Sequence, residues 1–279
     1  MAGIETDMVM TAKAAILPEA KTYTNEQVKK AAPRNLLDNS DFRNPVNQRG
    51  QTTYSGDGYT IDRWFLWSSD KTATLTLGSN GATINTNVAT SFSQRFPKGH
   101  FKGDKYTFVV CLADGTKTIN NNPIKTDNPA FDRIEISSAT SVSIKYVALY
   151  EGEYSLDTIP EYQLKGYSAE LLECQRYFVR YGNINQNNHI GWAMAATNTI
   201  ANAVLVLAQP MRIQTPTITI QGSFVLRHGI TDIPVTSVSP NSFGSGAFGY
   251  MAINAEGMTI GQMYAVRLVL GTLDVSADL

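Results

Sequence analysis

The chain has 279 residues, of which 43% are hydrophobic and 17% are charged, and its 23 Lys and Arg residues nearly balance its 24 Asp and Glu residues. A near-neutral chain offers no field for a polyanion, so binding of nucleic acid or of an anionic membrane surface is not expected. Its longest wholly apolar run, residues 203–208, is far shorter than the ~20 residues of a spanning helix, so no membrane insertion is expected either.

Residues 1–34 mix small, charged and polar side chains and are too few to form a core of their own. Thr24 and Gln27 have the spacing of a capping box, and Pro33 ends the two-turn helix predicted for residues 25–32. So short a helix is marginal in water unless it packs against something, so we expect a partner to order this segment. The first ten residues lack the pattern of a signal peptide, which predicts a chain that folds where it is made.

Residues 35–154 predict an antiparallel β-sandwich. The segment opens with a strand and a long loop rich in Asn, Asp, Pro and Gly, and short apolar or alternating runs follow. Turn sequences such as GSNG and NNNP separate these runs. The predicted strands cover residues 72–77, 106–112, 133–137 and 141–150. Short strands joined by tight turns are typical of a sandwich.

Residues 155–180 are predicted to be a linker that contains a connector helix. Leu171, Cys174 and Phe178 recur at helical spacing, and Ser168 is a suitable N-cap for a helix that reaches residue 180. Cys174 and Cys111 lack the spacing of a zinc site or a disulfide framework. Both cysteines are therefore expected to be small buried apolar residues.

Residues 181–279 return to short strands, predicted at 203–208, 217–226 and 263–270, with prolines between them. A second β-sandwich fits this spacing. Only seven of the 47 charged side chains of the chain lie in these 99 residues. Since a surface that is buried against copies of itself loses charge, the simplest explanation is contact between subunits. A monomeric β domain solvated by amides and hydroxyls is the alternative.

Catalytic motifs are missing from the sequence. His100, His189 and His228 are isolated, and the glycine-rich GSGAFG lacks the Lys and Ser or Thr of a phosphate loop. A polysaccharide hydrolase needs two carboxylates across a cleft. Acidic pairs that could supply them are Asp57 with Asp62 and Glu151 with Glu153, although solvated acids at loop ends are commoner. Oxygen ligands at residues 36–42 and 150–153 leave a calcium site open as an alternative, without EF-hand spacing.

Aromatic residues concentrate at residues 54–70, beside acidic side chains. Aromatic faces stack on sugar rings while acids and amides orient the hydroxyls, which indicates a glycan-binding site. The candidates are Tyr54, Asp57, Tyr59 and Trp67. Strand alternation places Trp64 on one face and Trp67 on the other, and one of these faces must be core. The competing interpretation is that the tryptophans only build the core and its walls.

Four stretches resemble bacteriophage and prophage tail proteins. Residues 35–67, NLLDNSDFRNPVNQRGQTTYSGDGYTIDRWFLW, resemble a domain opening that usually has NLL-N-(S/G)-D-F, then NP-NQRG and GYT-DRW. Residues 170–178, ELLECQRYF, resemble the junction where a short helix precedes a C-terminal β domain. Residues 207–224 and 273–279 are similar to that C-terminal domain. In this order the stretches cover most of residues 35–279.

The resemblance implies a virion fibre, appendage or baseplate-associated protein, typically a homotrimer. Its carbohydrate-binding-module-like jelly roll would precede a distal β domain that touches the host surface. Residues 1–34 do not match the pattern, and they would attach the fibre to a phage structural protein. The motif residues are implied to be structural and not catalytic, namely Asp41, Gln48, Arg49, Gly50, Asp62, Arg63 and Trp64.

We therefore expect an all-β chain of two antiparallel sandwiches joined by a short helix, with residues 1–34 as anchor and residues 181–279 as a trimeric tip. The leading functional hypothesis is a non-enzymatic virion fibre that adheres to bacterial surface polysaccharide and needs no cofactor or metal. A head-attached or baseplate decoration fibre with an assembly role is the first alternative. A glycan depolymerase and a bacterial carbohydrate-binding module are the others.

Overall fold

The computed structural model describes residues 33–243 and 248–279. These residues contain seventeen strands and one helix, so the all-β fold class is confirmed. That helix is too short to cross a membrane. The helix predicted at residues 25–32, nearly all of the predicted attachment segment, and part of the glycine-rich GSGAFG lie outside the described residues.

The first ten strands form two antiparallel sheets. Their bounds are β1 (Thr53–Ser55), β2 (Gly58–Tyr59), β3 (Trp64–Ser68), β4 (Thr74–Gly78), β5 (Gly81–Asn85), β6 (Thr90–Pro97), β7 (Tyr106–Leu112), β8 (Lys117–Asn120), β9 (Phe131–Ser138) and β10 (Val142–Glu151). One sheet has the order β1-β4-β5-β10-β7-β8, and the other has the order β2-β3-β6-β9. Both sheets contribute to one hydrophobic cluster, which makes this unit the expected sandwich.

Alternation along β3 decides which side chains fill the sandwich. Trp64 and Leu66 are fully buried, whereas Trp67 is exposed, as the sequence predicts. Trp64 stacks on Phe92 of β6 with 4.9 Å between ring centroids, and Phe42 meets Trp64 edge-on at 5.1 Å. The indole Nε1 donates to the carbonyl oxygen of Asn39 at 2.8 Å. One face of β3 therefore belongs to the core, and the other face lies at the surface of the sandwich.

The opening segment is not the strand that its apolar residues suggest. Residues 35–50 join the sheet through an isolated bridge from Asp41 to Tyr146 of β10 and one further backbone hydrogen bond, from the N–H of Leu36 to the carbonyl oxygen of Leu149. The segment is instead fastened by the Asn35 amide, whose oxygen accepts from the backbone N–H of Leu149 at 2.8 Å and whose nitrogen donates to the carbonyl of Val147 at 3.2 Å. An amide side chain thus replaces a ladder of backbone hydrogen bonds.

Helix α1 (Tyr167–Gln175) lies within the predicted linker but is shorter than predicted. Its N-cap is Gly166 and not Ser168, and no side chain caps it. Glu170 is buried in its first turn and accepts from the backbone N–H of Asn39 at 2.6 Å, which fastens the helix to the sandwich. Phe178, which fits the helical spacing, belongs to the next strand because the following residues pair with the end of the chain.

The remaining strands form one sheet that closes on itself. Their bounds are β11 (Phe178–Asn183), β12 (Asn188–Ala195), β13 (Ile200–Val206), β14 (Thr217–His228), β15 (Thr231–Ser242), β16 (Phe248–Ala255) and β17 (Met263–Ser276). The order is β11-β17-β12-β13-β16-β15-β14, and β14 also pairs with β17. The long β17 has β11 and β12 in succession on one edge and β14 on the other. The second unit is therefore a barrel and not two facing sheets.

Small inward side chains and local bends allow this closure. Four inward residues on β12 and β13 are fully buried alanines, which leave room for larger residues across the lumen, at Ala193, Ala195, Ala201 and Ala203. Bends occur where β14 and β17 shift register between Gln221 and Ser223, and where Leu270 takes a φ of 48°. These bends let one strand pair along its whole length on both edges.

Two prolines lie inside β15, although the sequence places them between strands. Pro234 pairs with Val225 of β14, and Pro240 pairs with Met251 of β16. The pairing with β14 ends at Pro234 and the pairing with β16 begins at Val235. Each proline therefore pairs with a neighbouring strand on one edge only. Its missing N–H is tolerated because the other edge has no partner at that position.

Replacing Gly222 by Ala tests the barrel closure. Gly222 has a φ of 81°, and a Cβ there would lie 2.5 Å from the carbonyl oxygen of Leu270. Gly229 is the matched control, because its φ is 60° but nothing lies within 4 Å of its Cβ position. We expect G229A to lower the free energy of unfolding by about 1 kcal/mol and G222A by about 3 kcal/mol or more in urea titrations. Equal losses would contradict the close approach at the β14–β17 seam.

Candidate functional site

Two regions contain the residues that the sequence singles out: a buried junction between sandwich and barrel, and the outer face of the four-stranded sheet. At the junction, Arg49 donates to Asp62 at 3.2 Å and to Asp278 at 2.7 Å. Its guanidinium lies 3.7 Å from the ring centroid of Phe178 in β11. The adjacent Gln48 donates from one amide nitrogen to Asp62 and to the carbonyl oxygen of Phe178, both at 2.7 Å. The NQRG sequence thus fastens the loop of the sandwich to the beginning and the end of the barrel sequence, which are paired with each other.

Arg63 is the second cation of the junction and is fully buried. It donates to Asp38 at 3.1 Å and to the carbonyl oxygen of Arg95 at 3.1 Å, and its guanidinium stacks 3.4 Å from the ring centroid of Tyr177. Its φ is 73°, a strained value for a residue with a side chain. Asp62 and Arg63 therefore do not pair with each other but reach different partners. Asp41, the remaining acidic motif residue, pairs with Arg43 at 2.7 Å.

Asp62 has an unusual titration because nothing of it touches solvent. Burial raises its pKa to about 7, although Arg49 and Gln48 act in the opposite direction. The nearby Asp278 adds to the rise. Near neutral pH a proton therefore exchanges at a carboxyl whose two partners, Gln48 and Arg49, bind the barrel.

Three of the four predicted glycan-binding residues lie beside this junction and not on the sheet face. Tyr59 donates to the carbonyl oxygen of Leu279 at 2.6 Å and accepts from its N–H at 3.0 Å. Tyr54 is buried and donates to Asn47, and Asp57 accepts from the backbone N–H of Ser68 at 2.9 Å. All three line a cleft of about 310 Å³ between sandwich and barrel. Their polar groups are largely committed to holding the fold.

Trp67 lies elsewhere, on the outer face of the four-stranded sheet. The register aligns outward side chains in three rows across β3, β6 and β9: Trp67, Ser91 and Ser137; Phe65, Ser93 and Glu135; Arg95 and Arg133. These rows line a cleft of about 580 Å³. We call this cleft the sheet-face cleft.

Only one aromatic ring in the sheet-face cleft is free to stack on a ligand. The guanidinium of Arg95 covers Phe65 at 3.6 Å from its ring centroid and lies 4.7 Å from Phe131. Trp67 is 45% exposed and has no such cover among the described residues. A flat apolar surface therefore stands at one end of the cleft.

The opposite side of the sheet-face cleft is a hydrogen-bonded charge network. Arg133 donates to Glu135 at 2.8 Å and also binds Asp127. Glu135 accepts further from Ser91 at 2.9 Å and from Ser137 at 3.1 Å. Burial alone would raise the pKa of Glu135, but these donors outweigh it and the net shift is downward. Arg95, Arg133 and Glu135 line the cleft, and Asp127 binds Arg133 from beside it, so two anions compensate the two cations and the net charge is small.

Sequence patterning missed most of this network. The run RIEIS places Arg133 and Glu135 on the same face of one strand, which was the available signal. Ser137 belongs to the same run, whereas Ser91, Ser93 and Arg95 come from β6, for which no strand was predicted, so their place beside Trp67 could not be inferred.

Three of the carboxylates considered as alternative calcium ligands are paired with cations. Asp38 binds Arg63, and Asp41 binds Arg43. At the other end of the sandwich, Glu153 binds Lys105. Residues 33–243 and 248–279 contain no group of three metal-binding side chains. Cys111 and Cys174 are both buried and unbridged, as predicted.

No family model, curated protein or solved structure matches this chain.

Replacing Asp62 by Asn tests the buried carboxyl at the junction. Between about pH 4 and pH 7 the folded protein keeps a proton on Asp62 that the unfolded chain, with an ordinary pKa of 3.8, has released. The contribution of Asp62 to stability therefore falls as the pH rises through this window, with a slope of up to about 1.4 kcal/mol per pH unit. D62N lacks this slope. The measurement is urea unfolding of both proteins from pH 4 to pH 8, and a constant difference between them would contradict the shift.

Proposed function

We propose that this chain is a non-enzymatic adhesin that binds neutral glycan in the sheet-face cleft. The observation that carries the proposal is the exposed ring of Trp67 facing a row of serines and a compensated Arg133–Glu135 pair. An aromatic plane stacks on the C–H face of a sugar, while fixed donors and acceptors orient its hydroxyls. Because cations and anions balance, the cleft favours an uncharged hydroxyl-rich ligand over an acidic one.

The state of the carboxylates supports binding without hydrolysis. A glycosidase needs an acid with a raised pKa opposite a second carboxylate. In the sheet-face cleft the pKa of Glu135 is lowered, and a hydrogen bond from Arg133 also lowers the pKa of Asp127. Asp62 does have a raised pKa, but it is wholly buried and cannot reach a polymer.

On the basis of the sequence resemblance to phage fibres, the proposed adhesin would belong to a virion, as a homotrimer attached to a phage structural protein through residues 1–34. The host-surface polysaccharide would be its receptor, bound through several weak sites at once. A head-attached or baseplate fibre that serves assembly remains the alternative. Deleting residues 1–33 and imaging particles would distinguish attachment by this segment from attachment elsewhere.

Replacing Trp67 by Ala tests the sheet-face cleft. The probe is an array of neutral bacterial oligosaccharides, followed by calorimetric titration of the best ligand. We expect W67A to weaken binding about tenfold, since loss of one stacking contact is worth about 1.4 kcal/mol. The protein should remain folded, because Trp67 is outside the core.

Tyr54→Phe and Asp57→Asn are the matched controls, because both residues line the cleft between sandwich and barrel. We expect neither change to alter oligosaccharide binding. If these variants lost binding while W67A retained it, the cleft between sandwich and barrel would be the glycan site. Release of reducing ends from the matching polysaccharide would overturn the non-enzymatic role.

A further inference from the structure

The barrel has an apolar outer face that its own core does not explain. Strands β12, β13 and β16 alternate regularly, with alanine, leucine, methionine and isoleucine inside. Apart from the exposed amide of Asn202, most of their outward residues in the middle of the surface are nevertheless also apolar and well exposed. They are Trp192, Met194, Val204, Val206, Phe248 and Tyr250, with Met263 on the neighbouring β17.

The register makes these side chains one continuous surface. Val204 of β13 pairs with Trp192 on one side and with Tyr250 on the other, so the three form a row across the barrel. Val206 pairs with Phe248 at one end, and Met194 pairs with Met263 at the other. Trp192 is 62% exposed and Val206 is 70% exposed. We call this surface the barrel patch.

The barrel patch is free of formal charge. None of the residues in β12, β13 or β16 is Asp, Glu, Lys or Arg. The seven charged residues of 181–279 lie outside these strands. Arg227, Asp232 and Arg267 form one cluster, and Asp274 and Asp278 bind Arg180 and Arg49 at the junction. Arg212 donates to the carbonyl oxygen of Ala277, and Glu256 directly follows β16. The charge-poor composition of residues 181–279 is therefore concentrated on one surface.

The absence of charge and the exposed area of the barrel patch together indicate what binds it. Around a symmetry axis each residue meets its own copy or lies close to it, so any charge would meet a like charge, and a charge-free surface avoids this repulsion. The seven side chains expose on the order of 600 Å², compared with about 800 Å² per partner in a stable interface. Patches of this size are uncommon on monomers.

We propose that the barrel patch is the surface through which copies of this chain bind one another. The inference rests on the proposed adhesin, because it supplies the multiple copies that weak glycan sites need, and it names the residues that hold them together. Burial of Trp192, Tyr250 and Phe248 would supply most of the apolar contact, since aromatic residues dominate such interfaces.

The test measures the mass of the full chain by light scattering, for W192E and for W192K. Both substitutions replace a side chain that is already exposed, so the new charge is not forced into the core of one copy. We expect the unaltered protein to have three times the 30.5 kDa mass of one chain and each variant to fall to that mass. Ile230→Glu is the matched control, since Ile230 is 93% exposed in the turn between β14 and β15, and it should not alter the mass.

Mixing the two variants provides the decisive outcome. If the barrel patch contacts itself, the glutamate and lysine copies attract one another, and the mixture should regain a mass above that of one chain. An unaltered protein that is monomeric at 100 μM, or a W192E variant that keeps the full mass, would overturn the proposal. Calorimetric titration of W192E with the oligosaccharide separates the two proposals, because loss of self-association should leave the affinity of each glycan site unchanged.

Discussion

The buried guanidinium of Arg63 is the interaction on which the arrangement of sandwich and barrel depends. A charge without access to water must be neutralised by fixed partners, and Asp38 and the Tyr177 ring provide them from two distant parts of the chain. Removing one partner of such a group typically costs 3–5 kcal/mol, about a third of the stability of an ordinary domain. Arg63 thereby fixes the opening loop of the sandwich and the entry to the barrel in one geometry.

This constraint assigns separate tasks to residues that are neighbours in the sequence. Arg63, Trp64 and Trp67 lie within five positions, yet the first holds the junction, the second fills the core and the third faces solvent. Strand alternation separates the last two. Because Trp64 is fixed from one side by its bond to Asn39, the opposite face of β3 is held rigid, which suits a surface that must match a ligand without rearranging.

Sequence patterns predicted the features that depend on residues close together in the chain. The all-β class, the strands at residues 106–112 and 217–226, and the opposite faces of Trp64 and Trp67 follow from alternation and turn chemistry. Tyr59 could not be placed in this way, because its partner Leu279 lies 220 positions away. The barrel closure was missed for the same reason, since it depends on β17 continuing past a bend at Leu270 that its apolar pattern does not mark.

Neutrality links the sheet-face cleft to the barrel patch. A cleft whose charges compensate one another binds through stacking and hydrogen bonds exposed to water, and such contacts give affinities near the millimolar range, about 4 kcal/mol. One site of that strength cannot hold a particle to a cell. In the proposed adhesin, copies joined through the barrel patch would raise the effective affinity by about 10²–10⁴ without any new contact to sugar. On these two proposals the charge-poor composition of the barrel has a physical reason, because self-association would supply the avidity that a neutral glycan site lacks.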